Sequence, residues 1–503
     1  MSAPAGKAPR QATSGARSAF DSAEGLPAAG AKVCLSGFSK AGHEEATALL
    51  RLHGLQATAF MSGADAVLVP ADATAEALAE ANRSGRRILS LDQLRESTSS
   101  GQRRSAVEVT EDSVRVLDVT LPRQPVGGRF VPEASRFRHL CLDSIFLRTA
   151  RTAAVGARDA LPCALEGETA SAKTTSVLWL AAQCRQGLVR LNLNGQSDAG
   201  ELVGRFVPAS DHGDWDLELL HREQELLEEE SRHIVRRAVT QQRTLNWVER
   251  SALAANEKIP MLSWRFWEGY VPQAMRHGWW LTLDEMNLAE PQVLERLNPV
   301  LEHPPSLVLS EHDGTVFGPG GAVEVDPRFR MFATMNPAEY SGRSVLSPAF
   351  RDRWNLWSFV DLPGELELRA MLRCLVRGEQ PEFAHGGVLW RAPDVDPAYP
   401  GLGRLPDIDA MIDQLASFHL AVSAAAGGGG GAAEVGRQRR ERYVFTRRTL
   451  LAAMRLFARA VERGLEGRAA LTEALDQVYV ERVQPGADRQ AVRAALRAVG
   501  LAR

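Results

Sequence analysis

The stretch Leu-Glu-Gly-Glu-Thr-Ala-Ser-Ala-Lys-Thr-Thr, residues 165–175, decides the fold of this chain. It follows a short apolar run, and its spacing from Gly167 to Lys173 and Thr174 is that of the motif G-x-x-x-x-G-K-[ST]. In that motif backbone N–H groups and the lysine cradle phosphates, while the hydroxyl binds Mg²⁺. The sequence therefore predicts a nucleotide-binding loop between a strand and a helix. The candidate binding residues are Gly167, Glu168, Thr169, Ala170, Ser171, Ala172, Lys173, Thr174 and Thr175, with Thr174 also a metal ligand.

The loop departs from the motif at Ala172, where the motif has a glycine, and Ala170 is a second alanine within it. A Cβ at Ala172 crowds the loop against the phosphates unless the backbone keeps an ordinary φ. Because the native loop must tolerate alanine, we expect Ala172→Gly to preserve binding. We expect it to lower stability by about 0.5–1 kcal/mol, because glycine adds entropy to the unfolded chain.

Two carboxylates follow an apolar run about a hundred residues after the loop. Residues 279–283 read as a buried strand, and Asp284 and Glu285 come directly after it. In phosphate-loop enzymes one acid here holds Mg²⁺ and a second orients or deprotonates the attacking water. We assign Asp284 to the metal and Glu285 to the water; the alternative is an ordinary strand end. A further apolar strand, residues 329–334, leads to Asn336.

From this point the chain resembles the AAA+ ATPases of the MoxR and midasin/dynein-related group. The resemblance covers roughly residues 136–361. It is carried by the phosphate loop and by segments 192–194, 201–206, 267–274, 283–289 and 335–354.

The resemblance implies an α/β fold: a P-loop NTPase (AAA+) three-layer core, residues 136–361, with a helical lid over residues 362–503. It implies ATP and Mg²⁺ as cofactors, and Asn336 as the sensor that positions the lytic water. Arg353 or Arg351 becomes the arginine finger that acts on a neighbouring subunit; we favour Arg353, which directly precedes Trp354. In the lid, Arg448 matches the family's second sensor, with Arg447 as the alternative.

The resemblance also implies assembly and partners. A finger that acts in trans requires a ring homo-oligomer, which we expect to be a hexamer. The group frequently acts on proteins that carry a von Willebrand factor A-type domain with a metal-ion-dependent adhesion site. The main interpretation is therefore an ATP-driven motor that remodels a partner protein.

Residues 31–98 form a separate unit with a βαβαβ order. Ser36 and Gly37 follow the first predicted strand and Gly54 follows the first predicted helix, an arrangement that resembles a BRCT domain. Leu94 replaces the usual aromatic residue, and the second helix lacks the lysine that phosphopeptide-binding members use. Without it a phosphopeptide loses a charge-assisted contact of about 1.5–3 kcal/mol. We therefore expect a protein-docking or structural role, with phosphopeptide binding as the alternative.

The remaining segments are assigned from composition and periodicity. Residues 1–30 read as a disordered tail, 99–135 as a linker and lead-in strand, and 427–431 as a Gly-rich loop in the lid. Residues 209–260 read as a helical insertion, with Leu220, Leu227 and Ile234 at heptad spacing; it is a solvated helical arm or a partner-engaging one. Residues 306–317 carry an Asp-Gly turn between apolar stretches and predict a hairpin.

Composition narrows the remaining function classes. The 503 residues include 59 basic and 62 acidic ones, so net charge gives no support for whole-protein attraction to nucleic acid or membrane. The five cysteines form no C-x-x-C pair, and a reducing cytoplasm suits them. Neither a signal peptide nor a membrane span is expected. Two rivals stay open: a DNA repair or replication ATPase targeted by the BRCT-like unit, and a nucleotide-gated scaffold with little hydrolysis.

Overall fold

The computed structural model describes the greater part of the chain. The predicted tail and the predicted Gly-rich loop lie outside the described residues, except for positions 27 and 427. The same holds for residues 97–102 of the predicted linker region. The described residues are 27, 31–38, 43, 46–47, 49–50, 53, 55–58, 60–70, 75–96, 103–208, 220–221, 224–241, 243, 245–254, 264–337, 343–386, 388–427, 435–436 and 443–501.

The N-terminal unit is built on a four-stranded parallel sheet in the order β2-β1-β3-β4. The βαβαβ order predicts three strands, and the structure has a fourth, β2. This strand is three residues long, Gln-Ala-Thr, and lies at the sheet edge with its first two side chains exposed, so it leaves no apolar run to find. The elements are β1 Lys32–Leu35, β2 Gln56–Thr58, β3 Ala66–Val69, α1 Ala75–Arg83, β4 Arg87–Ser90 and α2 Leu91–Glu96.

The segment assigned to a linker and lead-in strand is more structured than expected. Strands β6, β7 and β8 form an antiparallel meander, and β5 joins a sheet described below. The alternating apolar residues of the meander, such as Val114 and Val116, are fully buried, which is the period of a half-buried strand. The strands are β5 Arg103–Ser105, β6 Val107–Val109, β7 Ser113–Val116 and β8 Val119–Pro122.

A five-stranded parallel sheet forms the core, in the order β10-β13-β16-β9-β17. Strand β13 is buried at every position, as expected of a parallel strand with both faces covered. The phosphate loop leaves the carboxyl end of β9, which lies between β16 and β17. The strands and their flanking helices are α3 Ser144–Asp159, β9 Cys163–Gly167, α4 Lys173–Gln183, β10 Leu188–Asn192, α5 Ala199–Leu202, α8 Tyr270–His277, β13 Trp280–Asp284, α9 Pro291–Glu295, β16 Arg330–Met335, α10 Pro348–Asp352 and β17 Leu356–Val360.

Two antiparallel ribbons interrupt this core. The first, β11 with β12, carries the predicted helical insertion, whose side chains form a small apolar cluster of their own. Leu220 and Leu227 of the predicted heptad are buried there, and Ile234 packs against them. The second is the predicted hairpin, β14 with β15. The elements are β11 Gly204–Pro208, α6 Glu229–Thr240, α7 Trp247–Ala254, β12 Trp264–Glu268, β14 Leu307–Val308 and β15 Val316–Phe317.

The C-terminal region packs helices around one large apolar cluster and contains a hairpin, β18 with β19. Within the part of the chain that the structure describes, no helix is long and apolar enough to cross a membrane. The elements are α11 Glu365–Arg377, β18 Glu382–His385, β19 Val388–Arg391, α12 Ile408–Gly427, α13 Arg447–Glu462, α14 Gly467–Leu475 and α15 Ala487–Ala498.

The β18–β19 hairpin lies between the N-terminal unit and the core, and β5 pairs with its second strand. Ala384 and Leu389 belong to the apolar cluster of the N-terminal unit. Phe383 and Trp390, which point to the other face, belong to the cluster around α3 and the meander. One hairpin thus fills two cores with alternate side chains.

Two glycines of the C-terminal helical region allow its packing to be tested by substitution. Gly378 ends α11 with φ +79°, and a Cβ there would overlap the carbonyl oxygen of Val395; Gly464 has φ +91° and open space around it. We expect Gly464→Ala to cost about 1 kcal/mol in unfolding free energy through its left-handed backbone. Gly378→Ala should cost a further ~1–3 kcal/mol through overpacking. If urea unfolding showed equal losses of unfolding free energy for the two variants, the described packing of Gly378 against Val395 would be contradicted.

Candidate nucleotide-binding site

A cavity of about 590 Å³ lies at the carboxyl end of the core sheet. The phosphate loop, the ends of β10, β13 and β16, and the lid helices α11 and α13 surround it. Its lining combines polar groups with apolar side chains, namely Leu140, Phe146, Leu178, Met371 and Leu451. Thr169 to Thr175 and Asp284, Glu285, Asn336 and Arg448, all predicted site residues, line the same cavity.

Lys173 is folded against its own loop. Its Nζ donates hydrogen bonds to the carbonyl oxygens of Gly167 at 2.7 Å and Glu168 at 2.8 Å, and to Oδ1 of Asn336 at 3.1 Å. Burial lowers the pKa of Lys173 to about 8, against the raising effect of nearby carboxylates. The predicted lysine and the predicted sensor asparagine are therefore in direct contact.

The backbone of the loop is not ordinary at its two alanines. Ala170 has φ +66° and Ala172 has φ +70°, both in the left-handed region. An alanine there costs roughly 1–2 kcal/mol relative to the right-handed region. The expectation that a glycine at Ala172 would destabilise the protein is therefore wrong, because glycine relieves this strain.

Asp284 sits among hydroxyls and a guanidinium. Its Oδ1 accepts hydrogen bonds from Thr174 Oγ1 at 2.8 Å and from the Thr334 hydroxyl, and its Oδ2 accepts from Arg190 Nε at 2.7 Å. Burial alone would raise the pKa of Asp284, but the hydrogen bonds from Thr334, Thr174 and Arg190 outweigh it and the pKa is lowered. The carboxylate is thus held in its charged form.

The predicted metal ligands fit Mg²⁺. Thr174 and Asp284 present hard oxygens in contact, and Mg²⁺ is commonly bound by one or two protein oxygens together with substrate phosphates. Across the described ranges, no three His, Cys, Asp or Glu side chains gather into a metal cluster.

Glu285 follows the strand in a left-handed conformation, φ +54°. Its carboxylate accepts hydrogen bonds from Asn336 Nδ2 at 2.8 and 3.0 Å and lies 3.2 Å from a guanidinium nitrogen of Arg343. Strained backbone at a non-glycine residue persists only where the surroundings fix it, and such strain concentrates at functional sites. The predicted water-orienting acid is thus held by the predicted sensor.

The two candidate fingers lie away from this cavity. Arg353 donates to Glu302 Oε1 at 3.1 and 3.2 Å and to the carbonyl oxygen of Ala349. Arg351 is more exposed and lies over the ring of Trp357, 4.3 Å from its centroid. Neither contributes to its own subunit's site, so a role in catalysis requires a neighbour.

The two lid arginines differ sharply. Arg447 is buried in an ion pair with Asp143 at 2.8 Å, and Asp143 also caps α3 by accepting from the Phe146 N–H. Both arginines line the cavity, but Arg448 is the exposed one of the two. Because its guanidinium is not held by Asp143, Arg448, the residue predicted from the sequence, stays the candidate for contact with a nucleotide, and Arg447 joins the C-terminal helices to the core.

Two arginines of the site were not predicted. Arg190 was open to prediction, since a charged residue inside the apolar strand Leu-Val-Arg-Leu-Asn is unusual unless it has a partner. Arg343 carries no such signal, because it follows the predicted sensor in a segment without periodicity. Its contact with Glu285 spans 58 residues and depends on the fold.

Comparisons with known proteins agree with this geometry. Residues 162–354 match the AAA domain of the dynein-related subfamily. The chain is 29% identical over 215 residues to midasin of Dictyostelium discoideum, and 31% identical over 189 residues to midasin of Giardia intestinalis. These alignments cover 42% and 38% of this chain but only 3% and 4% of the respective relatives. A solved structure of a proposed ATPase from Cytophaga hutchinsonii covers 71% of this chain and 90% of its own at 14% identity, but its TM-score of 0.29 carries no argument.

Residues 162–354 are therefore similar to the AAA domain of ATP-hydrolysing enzymes, and the phosphate loop and the carboxylates of the cavity agree with that likeness. The likeness is to the dynein-related subfamily, to which the matched model belongs. The match covers less than half of the chain, and the N-terminal unit lies outside it.

The loop strain gives a direct prediction. Ala172→Gly should raise the free energy of unfolding by about 0.5–1 kcal/mol, because relief of the left-handed strain exceeds the added unfolded-state entropy. Nucleotide affinity should stay within a factor of about two, since the loop keeps its path. As a control, Ala181→Gly inside α4 should lower stability by about 1 kcal/mol. Thermal and urea unfolding check both, and a destabilised Ala172→Gly protein would contradict the described loop.

Proposed function

We propose that this chain is an ATP-driven motor that remodels a partner protein, with the N-terminal unit as a docking module. One observation carries the nucleotide part: Lys173, Thr174, Asp284, Glu285 and Asn336, drawn from three parts of the sequence, meet at one edge of the core sheet. This set contains a phosphate-binding cation, oxygens for a divalent metal and a carboxylate for water. The apolar side chains of the cavity lining suit a planar base.

The contacts of the site indicate how its residues act on ATP. Lys173 exchanges its bonds with the loop carbonyls for bonds with phosphate oxygens. Glu285, oriented by Asn336, then holds the attacking water in line with the γ-phosphate and accepts its proton. Mg²⁺, bound by Thr174 and Asp284, would neutralise charge on the phosphates.

Arg343 acts through Glu285 in this proposal. Its guanidinium is largely buried beside a carboxylate that is one-third exposed, so it restrains the direction of that carboxylate. It is a positioning residue. Release of this contact would free Glu285 to face a bound water.

The ring proposal rests on the arginines after Ser347. Ser347 caps α10 by accepting from the Phe350 N–H, and this short helix presents Arg351 and Arg353 at the surface. We propose that Arg353 enters a neighbour's site, exchanging Glu302 for the γ-phosphate, within a hexameric ring. Arg351 is the alternative because it is exposed and carries fewer hydrogen bonds.

The proposal includes the identity of the partner protein and the relation of this chain to MoxR and midasin proteins. The resemblance to MoxR and midasin proteins favours a partner with a von Willebrand factor A-type domain. The parallel sheet of the N-terminal unit supports its assignment as BRCT-like. Docking through that unit would bring the partner to the motor.

The catalytic assignments predict two distinct defects. Glu285→Gln should bind ATP with near-parental affinity and hydrolyse it at least about a hundredfold more slowly, because the general base is removed while the shape is kept. Lys173→Ala should weaken binding itself, because the cation at the phosphates is deleted. Fluorescent-nucleotide binding and phosphate release separate the two defects. Hydrolysis by Glu285→Gln at the parental rate, or unchanged binding by Lys173→Ala, refutes the corresponding role.

The finger proposal predicts recovery on mixing. Arg353→Ala should abolish turnover and leave ATP binding nearly intact, because a trans finger is worth about 10³–10⁵ in rate. Mixed with Glu285→Gln protein, it should regain activity, since some interfaces then pair an intact Glu285 with an intact Arg353. Native mass spectrometry verifies that mixed rings form. If mixed rings stay inactive, Arg353 is not the finger, and the same experiment is repeated with Arg351→Ala.

A further inference from the structure

Arg190 is bound to the carboxylate that the proposed function assigns to the metal. Strand β10 pairs with β13 so that Arg190 lies opposite Thr282, and Asn192 opposite Asp284. The guanidinium reaches along the strand, and its Nε and one terminal nitrogen both donate to Oδ2 of Asp284. The pair joins a half-exposed cation, 49% accessible, to a carboxylate that is only 7% accessible.

Each carboxylate oxygen of Asp284 already accepts two hydrogen bonds. Oδ1 accepts hydroxyl hydrogens from Thr174 and Thr334, and Oδ2 accepts both bonds from Arg190. Thr174 is the other predicted metal ligand, and Arg190 lines the same cavity. A divalent cation that binds Asp284 therefore meets a positive charge already in contact with the carboxylate.

A buried carboxylate without a counterion is costly, so some cation must accompany Asp284 in every state of the site. Arg190 performs this task when no metal is bound. Two like charges on one oxygen repel in a low-dielectric cavity, so a metal and Arg190 do not bind Oδ2 independently. Their binding to Asp284 is negatively coupled, and such coupling is reciprocal.

We propose that Arg190 is the resting counterion of Asp284 and that Mg²⁺ binds by displacing it, so that Arg190 lowers the site's affinity for divalent cations. The proposal rests on the proposed function, because it takes Asp284 as the metal ligand. Arg190 is in this view a positioning residue that keeps Asp284 charged and aligned until a nucleotide brings the metal. Because Mg²⁺ must displace Arg190, the site retains the metal only together with phosphates.

The test measures metal affinity rather than turnover. Full-length parent and Arg190→Gln proteins are loaded with methylanthraniloyl-ADP in EDTA, and Mg²⁺ is titrated while fluorescence is followed. Mn²⁺ titration by electron paramagnetic resonance counts the bound ions. We expect Arg190→Gln to bind Mg²⁺ at least about fivefold more tightly, the lower bound of typical coupling between sites. We also expect a lower melting temperature in EDTA, which Mg²⁺ and ADP restore by a larger increment than in the parent.

The control variant is Arg151→Gln, which removes a surface guanidinium from its ion pair with Asp118 and should leave the Mg²⁺ titration unchanged. If Arg190→Gln does not fold, Arg190→Lys takes its place. A lysine ammonium cannot reproduce the two hydrogen bonds that the guanidinium donates to Oδ2, so we expect the Arg190→Lys protein to bind Mg²⁺ about twofold more tightly or more. Unchanged or weaker Mg²⁺ binding in the folded variant overturns the proposal. Failure of the parent to bind labelled ADP at all would instead overturn the proposed function.

Discussion

Burial of charge at the carboxyl edge of one parallel sheet is the constraint on which this structure depends. Lys173 and Asp284 are each less than one-tenth exposed, and a charge in such surroundings must be paired and hydrogen-bonded. The chain meets this requirement with its own groups. Lys173 is held by loop carbonyls and Asn336, Asn336 holds Glu285, and Asp284 binds hydroxyls and Arg190.

The same constraint explains which hydrogen bonds of the site must break when a ligand binds. In the site without ligand, each hydrogen bond that stabilises a charged group occupies a position that a phosphate, a metal ion or a water molecule would take. Ligand binding is therefore an exchange of partners, and its net free energy is smaller than the sum of the new contacts. Left-handed backbone at Ala170, Ala172 and Glu285 adds stored strain at the same place, where the exchange occurs.

Much of this arrangement could be predicted from the sequence, because parallel strands end at a common edge. Lys173, Asp284 and Asn336 each follow or begin a recognisable apolar element, so topology alone brings them together. The left-handed backbone of Ala172 could not be predicted, since the identity of a residue does not determine its φ angle. Arg343 reaches Glu285 only through the return of the chain after the sensor strand. The short polar strand β2 was missed because it contains no apolar run. The meander β6–β8 does carry alternating apolar residues, so its strands were open to prediction, although only one lead-in strand was expected there.

The hairpin β18–β19 has a consequence for how the chain can be divided. Ala384 and Leu389 are almost completely covered by the N-terminal unit, while their neighbours on the other face fill the core below. A fragment beginning after residue 98 would present these side chains to water on one face of the hairpin, and an exposed apolar face of this kind promotes self-association. The N-terminal unit thus covers an apolar face of the hairpin. A fragment chosen only from the residues that match the AAA domain would leave that face exposed.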